Sequence, residues 1–246
     1  MSSILLAAIA ALATESGSQS TPTVEVQPPE AELWAGRMAV MGTRKLPFIG
    51  AVEFRNDNFA LARVRRTAAG ELELDQQICS VHFEKVAGAQ ASMDPIAIRK
   101  APRAQIRFTL EDDGTLLGSP WKSGWDRVDY DQDGFPGIAV SVDATLCGGT
   151  MHFASDATTV ARATQWDAGI AGVARIRVSQ IVEKVQGACL KLVTRDVTQD
   201  LDARFVYRPV PPGTTCDNVP DEAWVDPVEL DLGPITAPAL PNPSSP

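Results

Sequence analysis

Apolar and polar residues alternate with a period of two along most of the chain between residues 34 and 208. The alternation is clearest in residues 106–110, 138–142, 174–178 and 190–192, where every second side chain is Ile, Val, Leu, Phe or Ala. Such alternation is typical of β-strands that bury one face and expose the other. The pattern therefore predicts a chain built mainly from strands.

Helices are not a major element of the predicted structure. No stretch sustains the period of about 3.6 residues that an amphipathic helix requires, and only residues 86–93 and 155–163 are compatible with a short helix. Turn-forming residues separate the predicted strands and divide the segment 48–86 into a meander of three or four strands. These turn signals are Asn56-Asp57-Asn58, Ala69-Gly70, Asp113-Gly114, Cys147-Gly148-Gly149 and Ala168-Gly169.

The number and spacing of the predicted strands indicate an all-β fold. About ten short strands can avoid long exposed edges by closing into an antiparallel barrel or by packing as two sheets. We expect an antiparallel β-barrel of the lipocalin or avidin type over residues 33–208, with a β-sandwich as the alternative.

The two ends of the chain differ in composition from this body. An apolar run ends in Ala11-Leu12-Ala13, a small-x-small cleavage pattern, so residues 1–13 are predicted to be a secretory signal peptide, although the run is short and no Lys or Arg precedes it. Residues 14–32, rich in Ser, Thr, Pro and Glu, are predicted to be a disordered linker. Residues 209–246 hold ten of the eighteen prolines and predict an extended or wrapping tail, because proline cannot donate to a sheet.

Cysteine usage supports an extracytoplasmic location, either periplasmic or secreted. The chain has four cysteines, widely spaced and without a C-x-x-C motif, which indicates disulfides rather than a zinc or redox site. Three connectivities are possible for four cysteines. We favour Cys147–Cys189 together with Cys79–Cys216, because the second bond would hold the tail against the body.

Composition excludes several classes of function. A net charge of −9 argues against a nucleic-acid partner, and no apolar run reaches the ~20 residues of a membrane-spanning helix. Only two histidines are present, and strand parity places both His82 and His152 on solvent-facing sides. No recognisable hydrolase or phosphate-binding motif occurs, so we expect a protein that is not an enzyme.

One loop carries residues with a specific chemistry. Asp129, Asp131 and Asp133 are followed by Gly134, which matches positions 1, 3, 5 and 6 of a calcium loop. Carboxylates at this spacing converge on one cation when the chain curls, and Ca²⁺ prefers such hard oxygen ligands. The main-chain carbonyl of Phe135 is the expected position-7 ligand.

The loop departs from an EF-hand at its end. Position 12 is Val140 instead of a bidentate glutamate, and Pro136-Gly137 prevents a following helix; Asp126, Asp143 or water would complete the shell. The segment resembles the D-x-D-x-D-G loops of dockerin and thrombospondin type 3 repeats, and D-x-D-x-D-G-x-P-G followed by a strand resembles a pattern in uncharacterised secreted bacterial β-proteins. The resemblance implies no known activity. Because the position-12 glutamate is absent, we expect a weak calcium affinity of about 10⁻⁴–10⁻³ M, as in extracellular modules.

Three aromatic residues cluster around this loop. Trp121, Trp125 and Tyr130 would either stack on a flat ligand at the barrel mouth or fold onto the barrel as a plug. Together the patterns predict a calcium-stabilised, non-enzymatic binding protein whose ligand is an unknown small molecule or protein. The alternative is a structural or docking component of a cell-surface assembly.

Overall fold

The structure is a computed structural model that describes residues 31–46, 50–67, 70–145 and 147–241. The predicted signal peptide and nearly all of the predicted linker lie outside the described residues. No helix in these four ranges is long and apolar enough to cross a membrane. The elements are strands β1 (Glu32–Leu46), β2 (Gly50–Arg66), β3 (Leu72–Phe83), β4 (Gln90–Met93), β5 (Ala104–Leu110), β6 (Leu116–Trp125), β7 (Ile138–Asp143), β8 (Gly149–Trp166), β9 (Gly169–Gln186) and β10 (Val197–Pro209), helices α1 (Pro95–Lys100) and α2 (Ala188–Val193), and a 3₁₀ turn (Asp221–Ala223).

The strands form an antiparallel ring. The sheet order is β4-β7-β8-β6-β5-β3-β2-β1-β10-β9, and a further pairing of β8 with β9 returns the sheet on itself. The ring therefore contains every strand except β4 and β7, and its members are neighbours in chain order, as in an up-and-down barrel. The all-β, antiparallel prediction is confirmed, and the ring has the arrangement of a barrel.

Bulky side chains pack inside the ring. One hydrophobic cluster takes residues from all eight ring strands and includes Trp34, Phe108, Phe205 and Tyr207. The centroid of the Phe205 aromatic ring lies 6.1 Å from that of Phe108 and 5.9 Å from that of Tyr207. Because aromatic side chains bury large apolar areas, this cluster is the main core of the protein.

A second core lies beside the ring, where the short strands and helix α1 extend the sheet. Strands β7 and β4 pair with each other and continue the sheet from the first half of β8. Asp94 caps the N-terminus of helix α1, and its carboxylate accepts a hydrogen bond from the Ile96 N–H at 2.6 Å. The helix buries Ala97 and Ile98. These two residues pack with Ile138, Tyr130 and neighbouring side chains.

The C-terminal residues 210–241, here called the tail strap, lie against the outside of the ring. The indole of Trp224 packs edge-on against Phe59, with ring centroids 5.1 Å apart. Further along the chain, Arg204 donates to the carbonyls of Val228 and Leu230, and Arg177 donates to the carbonyl of Pro241. The strap thus crosses β2, β10 and β9 in the order in which these strands follow one another around the ring.

Both predicted disulfides are present. Cys79–Cys216 joins β3 to the tail strap with a Cα–Cα distance of 5.2 Å, and Cys147–Cys189 joins the start of β8 to α2 at 5.0 Å. The connectivity favoured on sequence grounds is therefore confirmed. The first bond lies in a third hydrophobic cluster, between the outer face of the ring and the strap, which includes Ala35, Leu61 and Ala223.

The predicted meander over residues 48–86 was wrong in its number of strands. Residues Asn56-Asp57-Asn58 do not turn; they lie inside β2, which runs for 17 residues. Asp57 is 7% exposed and is paired with Arg37 at 3.2 Å and Arg55 at 2.9 Å. Polar residues that look like a turn are thus accommodated in a strand because two arginines satisfy the buried carboxylate.

Two further local predictions were wrong. Residues 190–192 belong to α2, where Leu190 is buried and Leu192 is 85% exposed, so the two leucines do not share a buried strand face. Residues 155–163 belong to β8 and not to a helix. Apolar side chains occur there on both faces. Ala161 packs inside the ring, whereas Val160, on the outer face, lines a cleft together with Pro238 of the strap. Apolar residues on both faces hide the period of two.

Candidate metal centre

The acidic loop connects β6 to β7 and is closed at its base. Asp129 and Gly137 form an isolated parallel bridge, the Gly137 N–H donates to the Val128 carbonyl at 3.1 Å, and the Tyr130 N–H donates to the Gly137 carbonyl at 3.4 Å. Between these points Gln132 and Gly134 adopt the left-handed region, with φ of 61° and 89°. The chain is therefore curled tightly around its three aspartates.

The curl brings the three predicted carboxylates together. One carboxylate oxygen from each of Asp129, Asp131 and Asp133 lies within 4.8 Å of the others. Asp129 accepts hydrogen bonds from the N–H groups of Asp133 at 3.1 Å and Gly134 at 2.9 Å. Asp131 accepts a hydrogen bond from the Ala139 N–H at 2.9 Å, which joins the loop to the start of β7. The side chains are thus held in place by main-chain donors, and the group can hold a metal ion.

Among the described residues, no lysine or arginine forms an ion pair with the three aspartates of the loop. Burial, followed by the negative charge of Asp133 and the neighbouring Asp129 carboxyl, raises the pKa of Asp131. Burial also acts to raise the pKa of Asp129, but the N–H groups of Gly134 and Asp133 and the neighbouring Asp131 carboxyl lower it overall. Arg127, which precedes the loop by two residues, pairs with Glu183 at 2.7 Å.

One oxygen in this group has no partner. Oδ1 of Asp131 is shielded from solvent, and no donor within the described ranges reaches it. A buried carboxylate oxygen without a hydrogen bond costs free energy unless a cation or a proton compensates it. This oxygen therefore adds to the grouping of the three carboxylates as a place that could hold a cation.

The imidazole of His152 lies beneath the loop. Strand parity places it on the outer, solvent-facing side of β8, but the side chain is only 2% exposed, so the expectation that it is solvated was wrong. Its Nδ1 is 3.1 Å from Oδ2 of Asp133, and its ring lies 4.8 Å from that of Phe135. The loop folds back over β8, and this covering of a strand by a distant segment leaves no signal in local alternation.

The remaining predicted ligands are placed differently. The Phe135 side chain covers His152 and receives the Lys184 ammonium at 4.7 Å from its ring centroid; its carbonyl stays a predicted ligand. Asp126 accepts from the Tyr130 hydroxyl at 2.7 Å and from the Val128 N–H at 3.0 Å. Among the described residues the group contains only the three aspartates, so neither Asp126 nor Asp143 joins it.

The aromatic residues around the loop do not form one surface. Trp121 is buried in the main core with its ring centroid 6.5 Å from Phe108. Tyr130 is buried in the second core, and Trp125 packs against that core. Trp121 is 8% exposed and Tyr130 is 7% exposed, so both rings serve packing.

Replacing Gly137 with alanine is expected to destabilise the protein by at least about 2 kcal/mol. Its φ is +86°, and a Cβ there would lie 2.3 Å from the Phe153 carbonyl oxygen. Gly134→Ala is the matched control, because φ is +89° but no atom lies within 4 Å of its Cβ; it should cost about 1 kcal/mol. Urea unfolding of both variants measures the difference, and equal losses would contradict the close packing of the loop on β8.

Comparison of the chain with protein-family models, curated proteins and solved structures finds no match. The fold and the loop together define a disulfide-bonded, antiparallel β-barrel protein with a candidate cation site between two strands.

Proposed function

We propose that the chain is an extracytoplasmic, non-enzymatic binding protein whose acidic loop is stabilised by one Ca²⁺ ion. The unpartnered, buried Oδ1 of Asp131 carries this proposal, because it belongs to a carboxylate that has an oxygen within 4.8 Å of the other two carboxylates. In the absence of a cation, three neighbouring negative charges repel one another. A cation would convert this repulsion into attraction and would supply the missing partner.

The donor set favours calcium over other metals. All three candidate side-chain ligands are carboxylates, and hard oxygen ligands suit Ca²⁺. Mg²⁺ requires a nearly ideal octahedron and keeps several waters, and three carboxylates from one short loop do not enforce that geometry. The imidazole of His152 contacts Asp133 but lies outside the group of three, so nitrogen ligation, which would favour a transition metal, has no support.

The two disulfides support an oxidising compartment. Extracellular calcium modules bind with dissociation constants of about 10⁻⁴–10⁻³ M, and a loop without a glutamate at position 12 belongs in that range. The proposed location and the proposed affinity therefore agree, since a weak site fills only where calcium is abundant.

The binding surface is proposed to lie outside the barrel. Side chains from every ring strand meet in one core that includes Trp34, Phe108 and Phe205, which favours a protein partner over a small molecule held in the interior. This filled core is also the observation that favours the second candidate function, a docking component of a cell-surface assembly. For catalysis, His152 is enclosed beside Asp133 and is poorly placed to serve as a general base for a substrate.

Asp131→Asn is expected to abolish the calcium-dependent rise in melting temperature. At 10 mM Ca²⁺, a dissociation constant of about 10⁻⁴–10⁻³ M stabilises the folded state by about 1.4–2.7 kcal/mol, or about 3–10 °C for a chain of this size. Differential scanning calorimetry with Ca²⁺, Mg²⁺ and chelator measures the shift.

The matched control is Asp143→Asn, which changes an exposed carboxylate outside the group of three and should keep the full rise. A rise that persists in Asp131→Asn would show that calcium binds elsewhere. No rise in the wild-type protein would refute the site.

A further inference from the structure

The ring is open at one end between β1 and β10. The pairing of these two strands ends at Met41 and Asp202, although β1 stays paired with β2 to its last residue and β10 stays paired with β9 to its first residue. The two strands therefore separate over Gly42–Leu46 and Val197–Leu201. We call this gap, together with the part of the ring interior beside it, the ring mouth.

Arg44 lies on the inner face of β1 at the ring mouth. The register of β1 against β2 is unbroken, and Val40, four residues before Arg44, lies in the main core. Gly42 indicates the same direction, because a Cβ there would lie 2.5 Å from the Leu201 side chain and 2.9 Å from the Phe54 ring, which both belong to or pack against that core. Arg44 is the next residue on this face, and it is half-buried.

Two amide side chains share the inner face at the ring mouth. Gln199 on β10 lies directly opposite Val178 of β9, which packs against the main core. Gln180 lies two residues beyond Val178 and therefore on the same face. Both glutamines are half-buried, and neither forms a side-chain hydrogen bond with a described residue, whereas Ser179 and Thr198 on the outer face bond to each other at 3.0 Å.

A second arginine lies near Arg44. Arg195 belongs to the connection between α2 and β10, two residues before β10 begins. Burial, followed by the positive charge of Arg195, lowers the pKa of the Arg44 guanidinium. Because a guanidinium stays protonated in proteins, the two groups repel each other, and the repulsion is stronger at a half-buried position than in water.

No described carboxylate compensates these two charges. Other arginines of the neighbouring strands are paired, as Arg177 is with Asp200 at 2.8 Å on the outer face, but neither arginine of the ring mouth forms an ion pair within the described ranges. Asp196 follows Arg195 in the chain, but its carboxylate accepts a hydrogen bond from the Val182 N–H at 2.8 Å. The ring mouth therefore gathers two guanidinium groups and two amides that have free donors.

This donor set suits a phosphate monoester better than a carboxylate. A phosphate monoester carries about −1.5 to −2 charges near neutral pH and has three strong acceptor oxygens, which matches two guanidinium groups. A carboxylate carries one charge and would leave the second guanidinium uncompensated. Guanidinium groups bind phosphate through two parallel hydrogen bonds, and the amide groups of Gln180 and Gln199 add further donors.

We propose that the ring mouth binds the phosphate monoester group of a ligand between Arg44 and Arg195. Binding would replace the repulsion between the two guanidinium groups by attraction to a shared anion. The site goes beyond the function proposed above, since it uses neither the calcium loop nor the tail strap. Two sources present this chemistry, a soluble phosphorylated molecule and a phospholipid with a monoester headgroup.

The test titrates inorganic phosphate into the full, oxidised, isotopically labelled chain at constant ionic strength and follows the Nε–H signals of its arginines. The signals of Arg44 and Arg195 should shift together and reach saturation. Acetate should bind about tenfold more weakly, because it leaves one guanidinium charge uncompensated.

Removing either guanidinium should weaken phosphate binding about tenfold. Arg44→Gln tests the half-buried group and Arg195→Gln the exposed one; since Arg195 is exposed, its variant tests the site even if Arg44→Gln does not fold. The matched control is Lys45→Gln, which removes an exposed positive charge beside Arg44 on the outer face of β1 and should leave binding unchanged. Shifts that do not saturate, equal binding of acetate and phosphate, or equal losses in Lys45→Gln and Arg195→Gln would overturn the proposal.

Two further titrations distinguish the sources of the phosphate group. Glycerol 3-phosphate presents the monoester in solution, and vesicles of equimolar phosphatidylcholine and phosphatidic acid present it at a membrane surface. Binding of glycerol 3-phosphate that is weakened by Arg195→Gln supports a soluble ligand, and binding of the vesicles alone with the same dependence supports a lipid headgroup. Binding of neither probe would overturn the proposal. Asp131→Asn should keep phosphate binding, so failure of the calcium site and failure of the ring mouth are distinguishable.

Discussion

Removing the disulfide between the ring and the tail strap, with Cys79→Ser and Cys216→Ser together, is expected to lower the free energy of unfolding by about 5 kcal/mol. The two cysteines are separated by 137 residues, so the bond closes most of the described chain into one loop. A cross-link across so long a segment removes more conformational freedom from the unfolded chain than a short one. The bond also holds the strap against the third hydrophobic cluster.

The second disulfide is the control for this effect. Cys147 and Cys189 are separated by 42 residues, and the same relation gives about 4 kcal/mol for Cys147→Ser with Cys189→Ser. Guanidinium unfolding of both double variants compares them directly. A smaller loss for Cys79–Cys216 than for Cys147–Cys189 would contradict the view that the strap is an integral part of the folded domain.

Replacing Asp226 with alanine is expected to cost about 2–3 kcal/mol and to release the middle of the strap. Its carboxylate lies 3.2 Å from Arg37 and 2.7 Å from Arg55, and its own exposure is 19%. Both arginines also contact the buried Asp57. Loss of Asp226 therefore leaves two partly buried guanidinium groups sharing one carboxylate.

The exposed pair Arg177–Asp200 provides the comparison. Its bond is 2.8 Å long, but Asp200 is 50% exposed, so Asp200→Ala should cost less than about 1 kcal/mol. Urea unfolding gives the two losses, and limited proteolysis reports release of the strap. Equal losses, or a strap that stays protected in Asp226→Ala, would show that the ion pairs do not hold it.

The same contacts give a pH dependence with a defined sign. Burial acts to raise the pKa of Asp226, but the Val228 N–H, Arg55 and Arg37 outweigh it and lower the pKa overall. A carboxyl whose pKa is lowered on folding stabilises the fold above its unfolded pKa of about 3.9, and this contribution disappears as the pH falls through the lower folded value. The wild-type protein should therefore lose more stability than Asp226→Ala as the pH falls below about 4.

Local alternation was sufficient to predict the strands that bury one face and expose the other. Residues 106–110, 138–142 and 174–178 lie in β5, β7 and β9. It was not sufficient where contacts from distant segments decide the structure. Asp57 remains in a strand because Arg37 and Asp226, from opposite ends of the chain, share its network. No window of neighbouring residues contains that information.

At the candidate metal centre, too, local contacts were predictable from the sequence and contacts between distant segments were not. The spacing of Asp129, Asp131 and Asp133 was enough to predict that their carboxylates converge, because the ligands lie within one short loop. The contact between Asp133 and His152 depends on the packing of that loop over β8, so strand parity alone placed the histidine in solvent. Likewise, Trp121 lies close to the loop in the sequence, but its side chain on β6 packs in the main core.

The calcium site is tested most directly by titrating Ca²⁺ into isotopically labelled protein and following main-chain amide chemical shifts. The expected result is saturable change at residues 129–139 with a dissociation constant of about 10⁻⁴–10⁻³ M, and no comparable change with Mg²⁺. The amides of Asp133, Gly134 and Ala139, which donate to the aspartates, should shift most. Unchanged amides at 10 mM Ca²⁺, or saturable changes located elsewhere, would contradict a calcium ion held by these three carboxylates.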